Sequence, residues 1–275
     1  MTSYEGLTEQ AFTLPNVKQP FLSGTRSKNP AIHIGLTQWS HPKWINSGVF
    51  PPRMKERDAL PHYSDVFNSV ELNATHYKSY CPEEIKAWYD KVKRNDFQFC
   101  PKFPKEITKH GTFLNPEITN TFLEGIKEFK EKLGPTFLMI NSIYNEDKLF
   151  NYLKSIPSET FIEVRDSGWY TSEETISTYA HKLNSLRKGW IITDTPGERQ
   201  LLHMRITTPT AFIRFVCEGD HEFDFYRIQQ WKEVLSSWYE QGLEDCFFFL
   251  HVRNQTKAID FAKIVQKALA STWLL

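Results

Sequence analysis

The sequence predicts a single α/β domain built as a (β/α)₈ TIM-type barrel behind an N-terminal extension, and three observations favour this fold. Short apolar runs, eight in all, recur along the chain, and helical patterns separate most of them. Neither GxGxxG nor GxxxxGK[ST] occurs among the 12 glycines, although a doubly wound sheet would normally carry such a turn. We therefore expect residues 1–30 to form the extension and residues 31–275 to form one barrel domain.

The eight runs are rich in β-branched and aromatic residues, which is typical of strands. Several are apolar on both faces, as strands buried in a parallel sheet are. The runs begin at Ala31, Phe67, Phe97, Thr136, Thr160, Gly189, Ala211 and Cys246.

Helices are indicated by apolar residues that share one helical face. After the second run, Ile85, Trp88, Tyr89 and Val92 lie at i, i+3, i+4 and i+7. Comparable sets follow the third, fifth, seventh and eighth runs, whereas the pattern is weaker after the first, fourth and sixth. The alternation of strand and helix predicts parallel pairing throughout.

Composition bounds the partners that this chain can have. Its 275 residues, 40% hydrophobic and 24% charged, are typical of a globular protein. Lys and Arg together number 33, as do Asp and Glu, so the basic excess of a protein that neutralises many phosphates is absent. We expect no general nucleic-acid binding, and a local basic site stays open.

The cysteines and the N-terminal residues bear on location. The four cysteines show no CxxC pair and no Cys/His metal spacing, so we expect neither a structural zinc site nor a disulfide framework. The first thirty residues lack a basic start followed by an apolar stretch, and no apolar run reaches the length of a membrane span. The expected location is the cytoplasm, with no membrane partner.

Charged residues interrupt several of the apolar runs near the ends of the predicted strands, where barrel proteins carry their functional sites. They are Glu71, Glu163, Arg165, Asp194 and Arg214. A buried ionised group costs several kcal/mol unless it is paired or hydrated, so such residues need a reason. The set predicts a polar, arginine-lined mouth.

Structural interpretations of the same residues stay open. Glu163 and Arg165 lie at i and i+2, share one strand face, and could form an ion pair that only stabilises the barrel. Asp194 precedes Thr195 and Pro196 and could cap a turn.

Four segments resemble one known family. HIGLTQWSHPKW with GVFPP, FNSVELNATHY, FCPKFPKEITKH and EVRDSGWY are similar to motifs of the YecE-like family, also called domain of unknown function 72. The resemblance runs from about Ile32 to the eighth strand and implies a TIM-type barrel with no established activity. The late barrel departs from the pattern, because MINSIYN replaces Gln-x-Pro-Pro and FLHVRN replaces Phe-Asn-Asn.

The strand ends and the resemblance together give the candidate site. The candidate catalytic residues are Glu71, His110, Glu163 and Asp194. The candidate substrate-binding residues are Trp39, Asn73, Tyr77, Lys102, Thr108, Arg165 and Arg214. No cofactor is expected.

Three functions fit these residues. The first is an enzyme that performs acid–base chemistry on a small anionic molecule, a phosphate or a carboxylate, held by Lys102, Arg165 and Arg214. The second is a metal-dependent hydrolase, lyase or isomerase, against which stand three cations in the same mouth and the lack of an HExxH spacing. The third is a ligand-binding module without catalysis.

Overall fold

A computed structural model of the chain describes residues 4, 7–45, 47–109, 116–143 and 145–270. Its strands are β1 (Ala31–Leu36), β2 (Ser69–Leu72), β3 (Gln98–Pro101), β4 (Thr136–Ile140), β5 (Thr160–Val164), β6 (Gly189–Trp190), β7 (Ile192–Asp194), β8 (Thr210–Cys217) and β9 (Asp245–Val252). Its α-helices are α1 (Ala59–Val66), α2 (Ala74–Tyr77), α3 (Pro82–Lys91), α4 (Lys105–Thr108), α5 (Pro116–Ile126), α6 (Glu146–Ser155), α7 (Glu173–Ser185), α8 (Glu222–Glu240) and α9 (Ala258–Ala270). Short 3-10 helices cover Glu9–Phe12, Pro42–Trp44, Glu56–Asp58, Lys127–Lys132, Ser167–Tyr170 and Arg199–Leu201.

All strand pairs of the structure are parallel. Six strands form one sheet in the order β3-β2-β1-β9-β8-β7, and three form a second sheet in the order β4-β5-β6. Parallel bridges between Phe99 and Leu133 and between Lys102 and Phe137 join the two sheets along β3 and β4. On the other side, only Ile191 separates β6 from β7.

Each of the eight apolar runs contains a strand, and the sixth is divided at Ile191. The main-chain N–H of Ile191 still donates to the carbonyl of Ile162, 2.9 Å away, so the chain stays beside β5 as it leaves the smaller sheet. The predicted α/β class with parallel strands is confirmed. None of the described helices is long and apolar enough to cross a lipid bilayer.

Local sequence sets where several helices begin. The Asn145 side chain accepts from the N–H of Lys148 at the start of α6, and the Ser172 side chain accepts from the N–H of Thr175 at the start of α7. These side chains satisfy N–H groups that have no partner within the helix. Acidic residues occupy the first turn of both helices, where the helix dipole favours them.

Gly35 allows β1 to approach β2 closely. A Cβ atom at this position would lie 2.0 Å from the carbonyl oxygen of Ser69. Any side chain here would separate the two strands, so Gly35 is required by the strand that carries Glu71.

Alternate strand residues face two apolar clusters. The larger cluster includes Ile213, Phe215, Phe248 and Leu250 and contains many helix residues, so it lies between strands and helices. The smaller cluster takes the intervening residues and therefore lies on the opposite face of the strands. It consists of Cys100, Phe137, Phe161, Ile191, Phe212, Phe247 and Phe249.

The N-terminal extension packs on α8 and on the loop before β8. Phe12 is fully buried, and the N–H of Leu14 donates to the Gln230 side chain at 2.9 Å. Further along, Gln19 accepts from the N–H of Ile206 at 3.0 Å and donates to the carbonyl of Met204 at 2.8 Å. The extension therefore covers part of the outer core.

Candidate functional site

A polar layer lies next to the smaller apolar cluster, towards the carboxyl ends of the strands. Each of its members follows an apolar residue of that cluster by two positions, and so shares its face. Lys102, Met139, Glu163, Thr193, Arg214 and His251 follow Cys100, Phe137, Phe161, Ile191, Phe212 and Phe249 in this way. The six strands thus deliver polar or soft side chains to one place.

Arg214 joins two buried carboxylates at the centre of this layer. Its Nε and Nη2 donate to the two oxygens of Glu71, each at 3.1 Å, and its Nη1 donates to Glu163. Thr193 donates to the other Glu163 oxygen at 2.8 Å. The two carboxylates come from different sheets, so Arg214 connects β2 with β5 through β8.

His251 completes what we call the Arg214 cluster, namely Glu71, Glu163, Arg214 and His251. Its Nε2 lies 2.9 Å from Oε2 of Glu71 and 3.2 Å from Nε of Arg214. Because an ionised carboxylate only accepts, Nε2 carries the proton and donates to Glu71. Arg214 Nε then donates to Glu71 alone, since a protonated Nε2 cannot accept from it. In the described part of the chain, no hydrogen bond reaches Nδ1, which leaves a basic nitrogen on a ring that is 20% exposed.

The electrostatics of the cluster keep both carboxylates ionised. Burial by itself would raise the pKa of Glu71, but Arg214 and then His251 outweigh it and hold that pKa well below the usual range. Burial likewise opposes ionisation of Glu163, and Arg214 and Arg165 lower its pKa overall. Burial lowers the pKa of His251, with Arg214 adding to the effect and Glu71 opposing it. The imidazole is therefore neutral at pH 7.

Two further cations adjoin the cluster. Arg165 donates from Nη2 to Glu163 at 3.2 Å, and its side chain remains 36% exposed. Lys102 is buried, with its Nζ 3.9 Å from the Met139 sulfur and 5.8 Å from the centre of the Phe137 ring. Burial and then Arg214 lower the pKa of Lys102, although Glu71 and Glu163 act against them.

The remaining predicted binding residues divide into two groups. Asn73 belongs with the cluster, because its Nδ2 donates to Glu71 at 2.9 Å. Trp39 instead packs edge-on against Trp88 of α3, with 5.0 Å between ring centres. Tyr77 is 70% exposed next to His76.

Thr108 ends α4 and is half-buried, with no hydrogen bond to the Arg214 cluster among the described residues. His110 lies outside the described residues. Neither prediction is tested by these contacts.

Asp194 lies apart from the cluster, on the other face of β7 from Thr193. It forms what we call the Arg227 network with Tyr4, Arg199, Asp224, Arg227 and Trp231, and Arg199 donates from Nη1 to Asp194. Arg227 Nη1 lies 3.1 Å from Asp194, Arg227 Nη2 lies 3.0 Å from Asp224, and the Trp231 indole donates to Asp194 at 2.8 Å. The structure therefore does not bring Asp194 to Glu71 and Glu163, since residues at i and i+1 of a strand face opposite ways.

Sequence reasoning did not select His251 as a site residue, although its position carried a signal. Phe247, Phe249 and His251 alternate along β9, so the histidine shares the face of the two inward rings. Its partner Glu71 is 180 positions away in the chain, and only the three-dimensional structure shows their contact.

The part of the chain that the structure describes contains no preformed metal-binding site. Groups of three or more His, Cys, Asp or Glu side chains with suitable geometry do not occur there. Between Glu71 and Glu163, the guanidinium of Arg214 takes up the carboxylate oxygens.

A cavity of about 560 Å³ lies at the opposite, amino-terminal ends of the strands. Residues before or at the starts of β3, β4, β5, β8 and β9 line it, among them Gln98, Pro135, Glu159, Thr210 and Asp245. It is therefore distinct from the Arg214 cluster.

Comparison with known sequences identifies relatives along most of the chain. Curated proteins named UPF0759 protein YecE, from Escherichia coli O157:H7 and Escherichia coli strain K12, are each 25% identical over 265 residues. The match covers 88% of this chain and 93% of each relative.

Solved structures of DUF72 family proteins share the fold. The protein from Enterococcus faecalis V583 matches with a TM-score of 0.67 at 16% identity, over 88% of this chain and 98% of its own. The protein from Thermotoga maritima MSB8 matches with a TM-score of 0.61 at 21% identity, over 87% and 99%. The family model described as "Protein of unknown function DUF72" matches residues 33–273, and the chain therefore belongs to the DUF72 family, as its motifs predicted.

Proposed function

We propose that this protein is an enzyme that performs acid–base chemistry on a small anionic molecule, bearing a phosphate or a carboxylate, at the Arg214 cluster. The observation that carries the proposal is the excess of cationic side chains at a largely buried site. Lys102, Arg165 and Arg214 face only two ionised carboxylates, Glu71 and Glu163, among the described residues.

The anion would bind where positive charge is left over. Both carboxylates are already bonded to Arg214, whereas Lys102 has a thioether and a ring as neighbours. A buried charge without a partner costs several kcal/mol, and an anionic ligand would remove that cost. Arg165 is partly exposed and offers its guanidinium fork to the same ligand.

His251 is the group best suited to move a proton. A carboxylate whose pKa is held below its usual range is a poor base near pH 7, and this applies to Glu71 and Glu163. The neutral imidazole of His251 donates from Nε2 to Glu71, which leaves Nδ1 to take a proton from substrate. Glu71 then orients the ring and stabilises its charged form, as carboxylates do for catalytic histidines elsewhere.

Titration calorimetry with inorganic phosphate and with acetate tests the proposal. We expect wild-type protein to bind at least one of the two, and Arg165→Gln to bind about tenfold more weakly or worse, the usual effect of losing a charged hydrogen bond. Arg26→Gln is the matched control, because Arg26 is also a partly exposed arginine in a 3.2 Å ion pair, far from the site in the chain.

Absence of binding by the wild type, or equal binding by Arg165→Gln, would overturn the anion site. Stabilisation of the protein by added Mn²⁺ or Mg²⁺ but not by either anion would favour the metal-dependent alternative. Binding of substrate-like anions that is never followed by their conversion would favour the non-catalytic module.

We further propose that the two sheets close into the (β/α)₈ barrel. The rings of Phe137 and Phe212 come from different sheets and lie 5.1 Å apart, and those of Phe161 and Phe212 lie 5.5 Å apart. These ring contacts between the two sheets, together with the bridges that join β3 and β4, support closure of the barrel. An experimental structure with β3 and β4 splayed apart would contradict it.

We also propose that the protein is located in the cytoplasm. All four cysteines are free, and Cys100, Cys217 and Cys246 are buried. Free thiols are typical of a reducing compartment. Localisation of a tagged full-length chain in fractionated cells would test it.

A further inference from the structure

Three lysines are buried among the described residues, and their surroundings differ. Lys132 donates from Nζ to the carbonyl of Val92, and Lys188 donates to the carbonyl of Ile156 at 2.9 Å and to that of Pro157. Backbone oxygens therefore solvate two of the three ammonium groups. No oxygen atom of a described residue accepts from Nζ of Lys102, which contacts only the Met139 sulfur at 3.9 Å and faces the Phe137 ring.

Such surroundings make the Lys102 ammonium lose its proton more readily, so more of the neutral amine accompanies the cation than at an exposed lysine. A sulfur atom is a weak acceptor, so the ammonium form gains little from it and loses its hydration. The charged and titratable groups that face Lys102 from neighbouring elements are Glu71, His76, Glu163, Arg165 and Arg214. Arg214 also raises the cost of the ammonium form, and desolvation beside a second cation is a known way to activate a lysine nucleophile.

The main chain holds Lys102 in place. Its N–H donates to the carbonyl of Leu72 at 3.1 Å, and its carbonyl accepts from the Thr75 hydroxyl at 2.7 Å. A bridge to Phe137 fixes it on the third side. The amine is thus aimed into the polar layer by rigid neighbours, as a reacting group should be.

We propose that Lys102 is a nucleophile, and that the substrate is a small aldehyde or ketone carrying a carboxylate or a phosphate. This inference rests on the proposed function, because Arg165 would hold the anionic group while the ε-amine attacks the carbonyl carbon. It narrows the substrate from anions in general to anionic carbonyl compounds.

The chemical step is the formation of an imine. The nitrogen lone pair forms the C–N bond as the carbonyl π bond opens, and the carbonyl oxygen then leaves as water with both protons of the neutral amine. The imine nitrogen takes one proton from solvent to become an iminium. This restores a positive charge near Glu71 and Glu163.

Reductive trapping tests the inference. The full chain is incubated near pH 7 with glyoxylate or with dihydroxyacetone phosphate in the presence of sodium cyanoborohydride, and labelled lysines are mapped by peptide mass spectrometry. We expect Lys102 to be labelled severalfold faster than exposed lysines, because its lowered pKa makes the neutral amine more abundant and Arg165 would hold the carbonyl compound beside it. Inorganic phosphate should slow this labelling.

Two variants and an internal control distinguish a specific reaction at Lys102 from an effect of misfolding. Lys102→Met should lose the label while its circular dichroism spectrum and melting temperature show a folded protein. Lys86→Gln, at an exposed lysine paired with Asp90, should leave labelling of Lys102 unchanged. Lys188 serves as an internal control for burial alone in every sample, because burial lowers its pKa to about 8 while its Nζ stays bonded to carbonyl oxygens.

The outcomes distinguish this inference from the proposed function. Labelling spread over exposed lysines, with Lys102 unmodified, overturns the nucleophile, and if phosphate still binds through Arg165 the proposed function stands. Labelling of Lys102 that acetaldehyde matches and phosphate does not slow supports the nucleophile and overturns the anion site. Labelling of Lys188 together with Lys102 would show that burial alone explains the reactivity, which overturns the inference.

Discussion

Two buried arginines organise two clusters of opposite character. Arg227 lies between Asp194 and Asp224, all three fully buried, and Tyr4 of the N-terminal extension accepts from it at 2.7 Å. Arg214 likewise lies between two carboxylates, but its cluster includes the basic ring of His251 and adjoins two further cations, Arg165 and Lys102. Both arginines are therefore paired with two carboxylates, but this shared pairing does not give the two clusters the same role.

The difference lies in what surrounds each pair. In the Arg227 network, two guanidinium groups, those of Arg227 and Arg199, balance the two carboxylates of Asp194 and Asp224. The Trp231 indole and the Tyr4 hydroxyl add further hydrogen bonds. In the Arg214 cluster, Nδ1 of His251 has no hydrogen-bond partner among the described residues, and the adjoining Lys102 amine has no oxygen partner there. A charge-balanced ion network stabilises the fold, whereas unpaired groups at the carboxyl ends of strands offer a binding site.

The largest expected effect comes from Arg227→Met. Removal of this guanidinium leaves Asp194 and Asp224 buried with fewer partners, and breaking a buried pair in this way costs about 3–5 kcal/mol. Urea unfolding at pH 7 should show that loss, and calorimetry should find phosphate binding by the folded fraction unchanged. A variant that stays as stable as the wild type but fails to bind phosphate would reverse the roles given to the two arginines.

Acid should weaken both clusters. The pKa values of Glu71, Glu163 and Asp194 are lowered in the folded protein. Their contribution to the free energy of unfolding is therefore complete above the unfolded pKa of about 4 and is lost as the pH falls through the folded values. Urea unfolding between pH 7 and pH 3 should show stability falling below about pH 4.5, the unfolded range of a glutamate.

Arg214→Met should make the acid loss smaller, because Glu71 and Glu163 then lose the cation that lowers their pKa values. An acid dependence identical to that of the wild type would show that Arg214 does not set those pKa values.

The titration of His251 tests the link between imidazole and carboxylate. Glu71 raises the pKa of His251 against the effects of burial and Arg214. Glu71→Gln removes that charge, so the pKa should fall further, and NMR titration of the ring protons would measure the change. Asp194→Asn should leave this titration unaltered. A rise in the pKa, or an equal change in the Asp194 variant, would contradict the pairing of His251 with Glu71.

The sequence predicted those structural features that depend on a local pattern of residues. Strand positions follow from short apolar runs, and strand alternation places Phe161, Glu163 and Arg165 on one face. The hydrogen-bond partners of Glu163 lie on other strands. Local sequence patterns do not determine the register between strands, so they could not predict these partners. Arg214 reaches it across 51 positions of sequence.

Asp194 shows the limit most clearly. The run GWIITD has no polar–apolar alternation to decide whether Thr193 or Asp194 faces the polar layer. Arg227, 33 positions later, decides it by pairing with Asp194 behind the strand. A charged residue at a strand end is therefore a site candidate only once its face is known.

Tyr4→Phe gives the smallest expected effect and isolates the contribution of the extension. The tyrosine hydroxyl donates to Asp224 and accepts from Arg227, yet those two residues remain paired at 3.0 Å without it. Loss of one such hydrogen bond should cost about 0.5–1.5 kcal/mol in urea unfolding. The pKa of His251 and phosphate binding should not change, because the hydroxyl contacts only the Arg227 network. A change in either would mean that the two arginine clusters communicate through β7, where Thr193 bonds to Glu163 and the adjacent Asp194 bonds to Arg227.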